Sequence, residues 1–211
     1  MEDYFKHPFL SNSKLTAFGA ELGLLRGYGD HDPTENFRLG TLFDLLATEP
    51  SRIDRLNNVL IDTEYSFTDE ELKANEKMIE KLNNHPVYKM ILSLKPNFQK
   101  EIYQENFIFD NLPPIGFKAK LDLWLPNWVI DLKTTACTSQ SQFEEACIMF
   151  GYYRQMLLYM LLTKSNKSTI IGVSKSKPYK VFIVNFDEKH PLYEETFKEI
   201  KTLIFKYIYL N

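Results

Sequence analysis

Apolar residues recur at helical spacing through the first part of the chain and at strand spacing only after about residue 96, so the pattern alone orders the elements. Ser11 or Ser13 can cap a helix running to about Arg26, which Gly27, Gly29 and the Asp30–Pro33 stretch break. A second helix spans Thr34 to Ala47 and stops before Pro50. Thr68-Asp-Glu-Glu71 is a capping-box pattern opening a helix to about Asn83, and Pro86 starts a short one to Leu94. Asn97 to Phe109 reads as a strand, which Leu112-Pro-Pro114 breaks. Lys118 to Leu125 alternates polar with apolar, Pro126-Asn127 signals a turn, and Val129 to Leu132 is β-prone, so the three predict a β-hairpin. A helix follows from Gln142 to Leu162, then strands near Ser168–Ser174 and Tyr179–Phe186, and a closing helix from about Pro191 to Tyr209. This order predicts an α+β (α/β) fold with a mixed central β-sheet flanked by helices. No repeat, low-complexity tract or linker divides the 211 residues, and the expectation is a single domain over 1–211: a helical N-terminal part, 1–95, and a core, 96–211.

The hairpin carries the chemistry. If Pro126-Asn127 forms a tight two-residue loop, Asp122 falls opposite Asp131. Side chains two apart share a face, so Lys120, Asp122, Asp131 and Lys133 would lie on one surface, with Leu121, Leu123, Ile130 and Leu132 on the other. Pro-Asn is not the preferred pair for such a loop, and a shifted register is the alternative. Two carboxylates about 5 Å apart repel by roughly 3 kcal/mol at an effective dielectric of 20, a cost that a cation between them reverses. Taken alone, the residues also fit solvated charges on an ordinary hairpin.

On the Gln142–Leu162 helix, Tyr152, Gln155 and Tyr159 fall on one stripe, while Phe143, Phe150, Leu157 and Leu161 can face the core. Gln155 interrupts an otherwise apolar run and must find a polar partner. His7, His31, His85 and His190 sit beside prolines or loop signals, without catalytic partners by spacing.

Composition narrows the classes. Cys137 and Cys147 have neither metal-ligand nor redox spacing, which argues against a zinc site, an iron–sulfur cluster or a disulfide framework. The net charge of −3 gives no global attraction to nucleic acid. Lys164, Lys167, Lys175, Lys177 and Lys180 nonetheless gather around two predicted strands, where they fit either a DNA grip or a solvated strand edge. The start Met1-Glu-Asp-Tyr-Phe-Lys6 lacks a basic region with an apolar core, and no apolar stretch reaches the ~20 residues of a bilayer span. The expectation is a cytoplasmic protein.

The chain resembles the PD-(D/E)XK nuclease superfamily, and within it the RecE-like exonucleases related to the RecB nuclease domain and phage lambda exonuclease. The resemblance runs through Leu10-Ser-Asn-Ser-Lys-Leu15, similar to an N-terminal SxSxL helix start, and Leu39-Gly-Thr-Leu-Phe-Asp-Leu-Leu46, similar to the G-T-x-x-H-x-L-L helix. It continues through Gly116-Phe-Lys-Ala-Lys-Leu-Asp122, Ile130-Asp-Leu-Lys-Thr-Thr135 and Gly151-Tyr-Tyr-Arg-Gln-Met-Leu-Leu-Tyr159, similar to the Gln-x-x-x-Tyr helix. Where most relatives carry histidine after G-T-x-x, this chain has Asp44, read as a change of ligand. The resemblance implies a restriction-endonuclease-like αβββαβ core with an N-terminal helical elaboration. It implies Mg²⁺ or Mn²⁺ held by Asp44, Asp122, Asp131 and the Leu132 carbonyl, with Lys133 and Gln155 catalytic and Tyr152, Tyr159 and Glu101 in support. It further implies 5′→3′ resection of duplex DNA ends in phage or prophage recombination, a single-strand annealing partner, and a ring-shaped homo-oligomer. The rival readings are another superfamily endonuclease or repair nuclease, and a DNA-binding protein that has lost catalysis.

Overall fold

The computed structural model describes residues 2–25, 33–54, 59–60 and 66–210. The N-terminal half holds α1 (Glu2–Lys6), α2 (Asn12–Glu21), α3 (Pro33–Thr48), β1 (Ile53–Asp54), β2 (Val59–Leu60), α4 (Asp69–Asn84) and α5 (Pro86–Ser93). Then come β3 (Asn97–Phe107), β4 (Ile115–Leu125), β5 (Trp128–Thr135), α6 (Gln140–Met149), α7 (Tyr152–Thr163), β6 (Lys167–Ser174), β7 (Val181–Asp187) and α8 (Tyr193–Leu210). β1 and β2 pair as a two-stranded ribbon, too short to leave a periodic signal, and α1 is likewise unforeseen.

The large sheet has the order β3-β4-β5-β6-β7. Only β5 and β6 run parallel, so the chain must cross over between them, and α6 and α7 make that crossover. Side chains of β5 and β6 alternate between two cores: Val129 and Ile170 pack with α7 and α8 residues such as Leu157 and Leu203, whereas Ile130, Leu132, Ile171 and Val173 pack with Phe43, Met78 and Tyr88. The mixed sheet between helix layers is therefore as the pattern predicts.

Local signals explain most boundaries. Ser11 caps α2, accepting from the Lys14 N–H at 3.3 Å, and Thr68 with Glu71 closes a full capping box on α4. α2 ends earlier than predicted, at Glu21, where Leu22 caps it and Gly23 turns left-handed at φ +67. Arg26, Gly27, Gly29 and Asp30 lie outside the described residues. The Pro126-Asn127 loop is the tight one, with Asn127 at φ +65 and Leu125 opposite Trp128.

Two expectations need correction. The helix read from Gln142 to Leu162 is two helices, because Gly151 takes a left-handed φ of +66 between them. The guanidinium of Arg154 fills the space over Gly151, held by Glu199 of α8 and, at 3.0 Å, by the Thr16 hydroxyl of α2. The break turns Phe150 outward, 53% exposed, where the periodicity had placed it in the core. Second, Leu121 does not share a face with Leu123, Ile130 and Leu132: it joins the α7–α8 core and they join the opposite one. The facing switches at Asp122, where β4 loses its regular pairing.

Gly151→Ala should destabilise the protein by about 1–2 kcal/mol from the left-handed backbone alone, and more because the new methyl meets the Arg154 guanidinium. A urea midpoint equal to the parent's would show that the elbow is not fixed in this way.

Candidate active site at a strand fork

β4 and β5 pair only from their turn up to Leu123 and Ile130, after which the two strands part. Beyond the fork β4 meets Leu10 instead, which exchanges backbone hydrogen bonds with Gly116 and Lys118. Asp122 and Asp131 are the first residues past the last rung. The Asp122 side chain takes the place of a ladder bond, its Oδ2 accepting from the Leu132 N–H at 2.8 Å.

Asp131, only 3% exposed, faces α7. Its Oδ1 accepts from Gln155 Nε2 at 2.8 Å, and the second amide hydrogen of Gln155 goes to the Tyr159 hydroxyl at 3.2 Å. Asp131 Oδ2 meets the Lys133 ammonium at 2.6 Å and makes no hydrogen bond besides that ion pair. The ammonium also stands 5.1 Å from the centre of the Tyr152 ring. Gln155 and Tyr152 of α7 thus border Asp131 and Lys133, and Tyr159 holds Gln155.

Asp44 lies on α3, whose Phe43 packs into the core opposite the one that holds α7. Burial raises its carboxyl well above the ordinary carboxylate range, and the charges of Asp122 and Asp131 raise it further against the pull of Lys133. Asp122 is pushed up to about 7, by burial first and the Asp131 carboxylate second. Burial alone would lower Lys133, but the carboxylates of Asp131 and Asp122 outweigh it and hold the ammonium charged above its usual range. Glu101 is placed elsewhere, opposite Lys120 on the β3 side, accepting from the Tyr103 hydroxyl at 2.9 Å.

One buried carboxylate, Asp131, and two half-buried ones, Asp44 and Asp122, thus share one ammonium. Their oxygens are hard donors, one of them buried without a hydrogen bond, and the set suits a divalent cation such as Mg²⁺ or Mn²⁺. Among the described residues no three His, Cys, Asp or Glu side chains already stand as a ligand cage. Leu132 N–H and Lys133 hold oxygens that such a cage would use.

The family comparison agrees with the fold. Residues 20–210 match the PDDEXK-like domain of unknown function (DUF3799), and the chain belongs to that family. A protein of Eubacterium rectale assigned provisionally as an exonuclease superposes with a TM-score of 0.64 at 13% identity, over 96% of this chain and 84% of its own. A phage-related exonuclease from Haemophilus somnus 129PT gives 0.46 at 14% identity, over 98% and 96% of the two chains. An alkaline exonuclease from Laribacter hongkongensis gives 0.38 at 13%, over 98% and 92%. No curated protein matches the sequence. The family match and the Eubacterium rectale structure give the PD-(D/E)XK fold, as the motifs implied.

Other expected residues separate. The lysine group splits along β6: Lys167 packs over the Trp128 ring, 3.9 Å from its centre, whereas Lys175 and Lys180 lie beyond the other end, where Lys180 donates to the Thr138 carbonyl at 2.9 Å. His7 and His190 turn Nδ1 onto their own backbone, at Phe9 and Leu192, and His31 lies outside the described residues. Cys137 and Cys147 are free thiols, and burial pushes Cys147 up to about 12. Among the described residues no helix is long and apolar enough to cross a membrane. The pattern gives no signal at Gln99, which stands between Phe98 and Lys100, and at Thr48 only a polar residue after Leu45-Leu46-Ala47.

The Asp122 shift has a signed consequence. Its folded value near 7 exceeds the ordinary 3.8, so the folded state keeps a proton that the unfolded chain has released. Stability from this group is full below the unfolded value and is lost as pH rises through about 7. In EDTA, Asp122→Asn should melt several degrees above the parent at pH 8, at about 3 °C per kcal/mol relieved, and level with it at pH 3.5. An equal difference at both pH values would remove the carboxylate repulsion as its cause.

Proposed function

We propose that this chain is a Mg²⁺- or Mn²⁺-dependent deoxyribonuclease of the RecE-like kind, which removes nucleotides from duplex DNA ends. The observation that carries the reading is the pair Asp122 and Asp131 at the strand fork, with Lys133 two residues on and pointing to the same place. Membership of the PDDEXK-like family supports it. Asp44, Asp122, Asp131 and the Leu132 carbonyl would hold the cation, which when bound polarises a phosphate oxygen and lowers the pKa of water. Gln155, fixed by Tyr159, keeps the Asp131 carboxylate in one rotamer. Lys133, charged and beside Asp131, orients the attacking water and steadies charge growing on the phosphate. The lysines beyond β6, Lys175 and Lys180, extend the surface that takes the DNA backbone. A 5′→3′ direction, a ring of subunits and transfer to a single-strand annealing partner complete the reading, with phage or prophage recombination as its setting.

Digestion of an end-labelled linear duplex beside a closed circle tests this. The linear DNA should shorten from its ends with Mg²⁺ or Mn²⁺, not with EDTA, and not with Asp131→Ala; cutting of the circle would assign an endonuclease, and no cutting by the parent a protein that only binds DNA. Lys133→Ala should slow cleavage by about 10²–10³-fold, the usual loss for one charge-stabilising donor, while Mn²⁺ affinity measured by calorimetry changes little. Asp44→Asn should lose most of the cation-induced rise in melting temperature, which for a ligand at a hundredfold its Kd corresponds to about 2.7 kcal/mol. If Asp44→Asn melts with Mg²⁺ as the parent does, Asp44 is no ligand.

A further inference from the structure

Gln99 breaks the rules of the strand it sits in. It has a Cβ, yet its backbone is left-handed at φ +49 two residues into β3. The pairs Phe98↔Leu123 and Lys100↔Leu121 hold one register on either side of it, and the rung between them, Gln99 to Asp122, is missing. No residue has been inserted; one residue has been rotated out of the ladder. Such a conformation persists only where surrounding contacts over-determine it, and it concentrates at functional sites.

The contacts that hold it lead to Asp44. Gln99 Nε2 donates to Thr48 Oγ1 at 3.0 Å, across 51 positions of sequence. Thr48 Oγ1 in turn donates to the Asp44 carbonyl at 2.7 Å, one turn back along α3. Two hydrogen bonds therefore join the strand position opposite Asp122 to the helical turn that carries Asp44. Apolar packing of α3, through Phe43 on one core and Leu42, Leu45 and Leu46 on another, is non-directional and tolerates small slides. The hydrogen-bonded relay is directional and does not.

We propose that Gln99 is a positioning residue: through Thr48 it fixes the last turn of α3 against β3 and so sets where Asp44 stands relative to Asp122. The inference rests on the reading that these two carboxylates serve one divalent cation. Its rotation also leaves Asp122 without a β3 rung, while the Asp122 side chain is held from the β5 side by the Leu132 N–H.

Mn²⁺ binding by the full chain, followed calorimetrically and by the spectral loss of free Mn²⁺, tests the relay without reference to catalysis. Gln99→Gly keeps the left-handed backbone and removes the amide; Thr48→Val keeps the shape and removes the hydroxyl. Each should weaken Mn²⁺ by about tenfold, the low end for loss of a partner that orients a ligand. The double variant should weaken it no further, since both changes cut one chain, and Thr48→Ser should bind as the parent does. Without metal, Gln99→Gly should melt at or above the parent temperature, because glycine relieves the backbone. Parental Mn²⁺ affinity in Gln99→Gly, or additive losses in the double variant, would overturn the relay. A parent chain that binds no Mn²⁺ would overturn the two-carboxylate reading beneath it, and the relay with it.

Discussion

Repulsion among three carboxyl groups gathered around one ammonium is the constraint around which this structure is arranged. Asp44, Asp122 and Asp131 face one ammonium, Lys133. Two of the acids are partly satisfied by different devices, Asp122 by a backbone N–H and Asp131 by an amide and an ion pair, while burial and the neighbouring charges of Asp122 and Asp131 push the Asp44 carboxyl upward. What remains is an electrostatic deficit that a hard dication removes more fully than any side chain present. The same deficit keeps Lys133 charged under burial, which is the state that a group assisting phosphate chemistry requires.

The sheet makes that arrangement possible by coming apart at one place. Regular pairing on both sides of Asp122 would leave its carboxylate on a face, with no way into the plane between β4 and β5. The fork past Leu123 and Ile130, together with the missing rung at Gln99, frees it on both edges. The parallel partnership of β5 with β6 then demands a crossover, and the second half of that crossover, α7, supplies Gln155, Tyr159 and Tyr152 to the open side of the fork. Strand pairing, crossover and site are thus consequences of one topology.

Much of this was legible in the residues. The Pro126-Asn127 loop fixed the register that aligns Asp122 with Asp131, because the hairpin turn has room for only two residues. The i, i+3, i+7 spacing of Tyr152, Gln155 and Tyr159 is local, and so is the capping box at Thr68. What was not legible depends on single backbone torsions or distant partners. Nothing near Gly151 says that Arg154 will pack over it from a network with Thr16 and Glu199, so one helix was read where there are two. Nothing near Gln99 announces a left-handed residue, since glutamine rarely adopts that conformation, and the reversal of facing between Leu121 and Leu123 falls at the same missing rung. The lysines near β6 were grouped by sequence proximity, but a strand of eight residues separates its two ends, and the group divided accordingly.

The central claim, that the forked carboxylates form one cation site, is tested most directly by crystals grown with Mn²⁺ and measured for anomalous scattering. The account predicts a peak between Asp122 and Asp131, with oxygens of both at about 2.0–2.6 Å as for hard cations, Asp44 turned toward it, and the Lys133 ammonium moved off Asp131 Oδ2. Manganese bound elsewhere, or absent while Lys133 stays on Asp131, would contradict it.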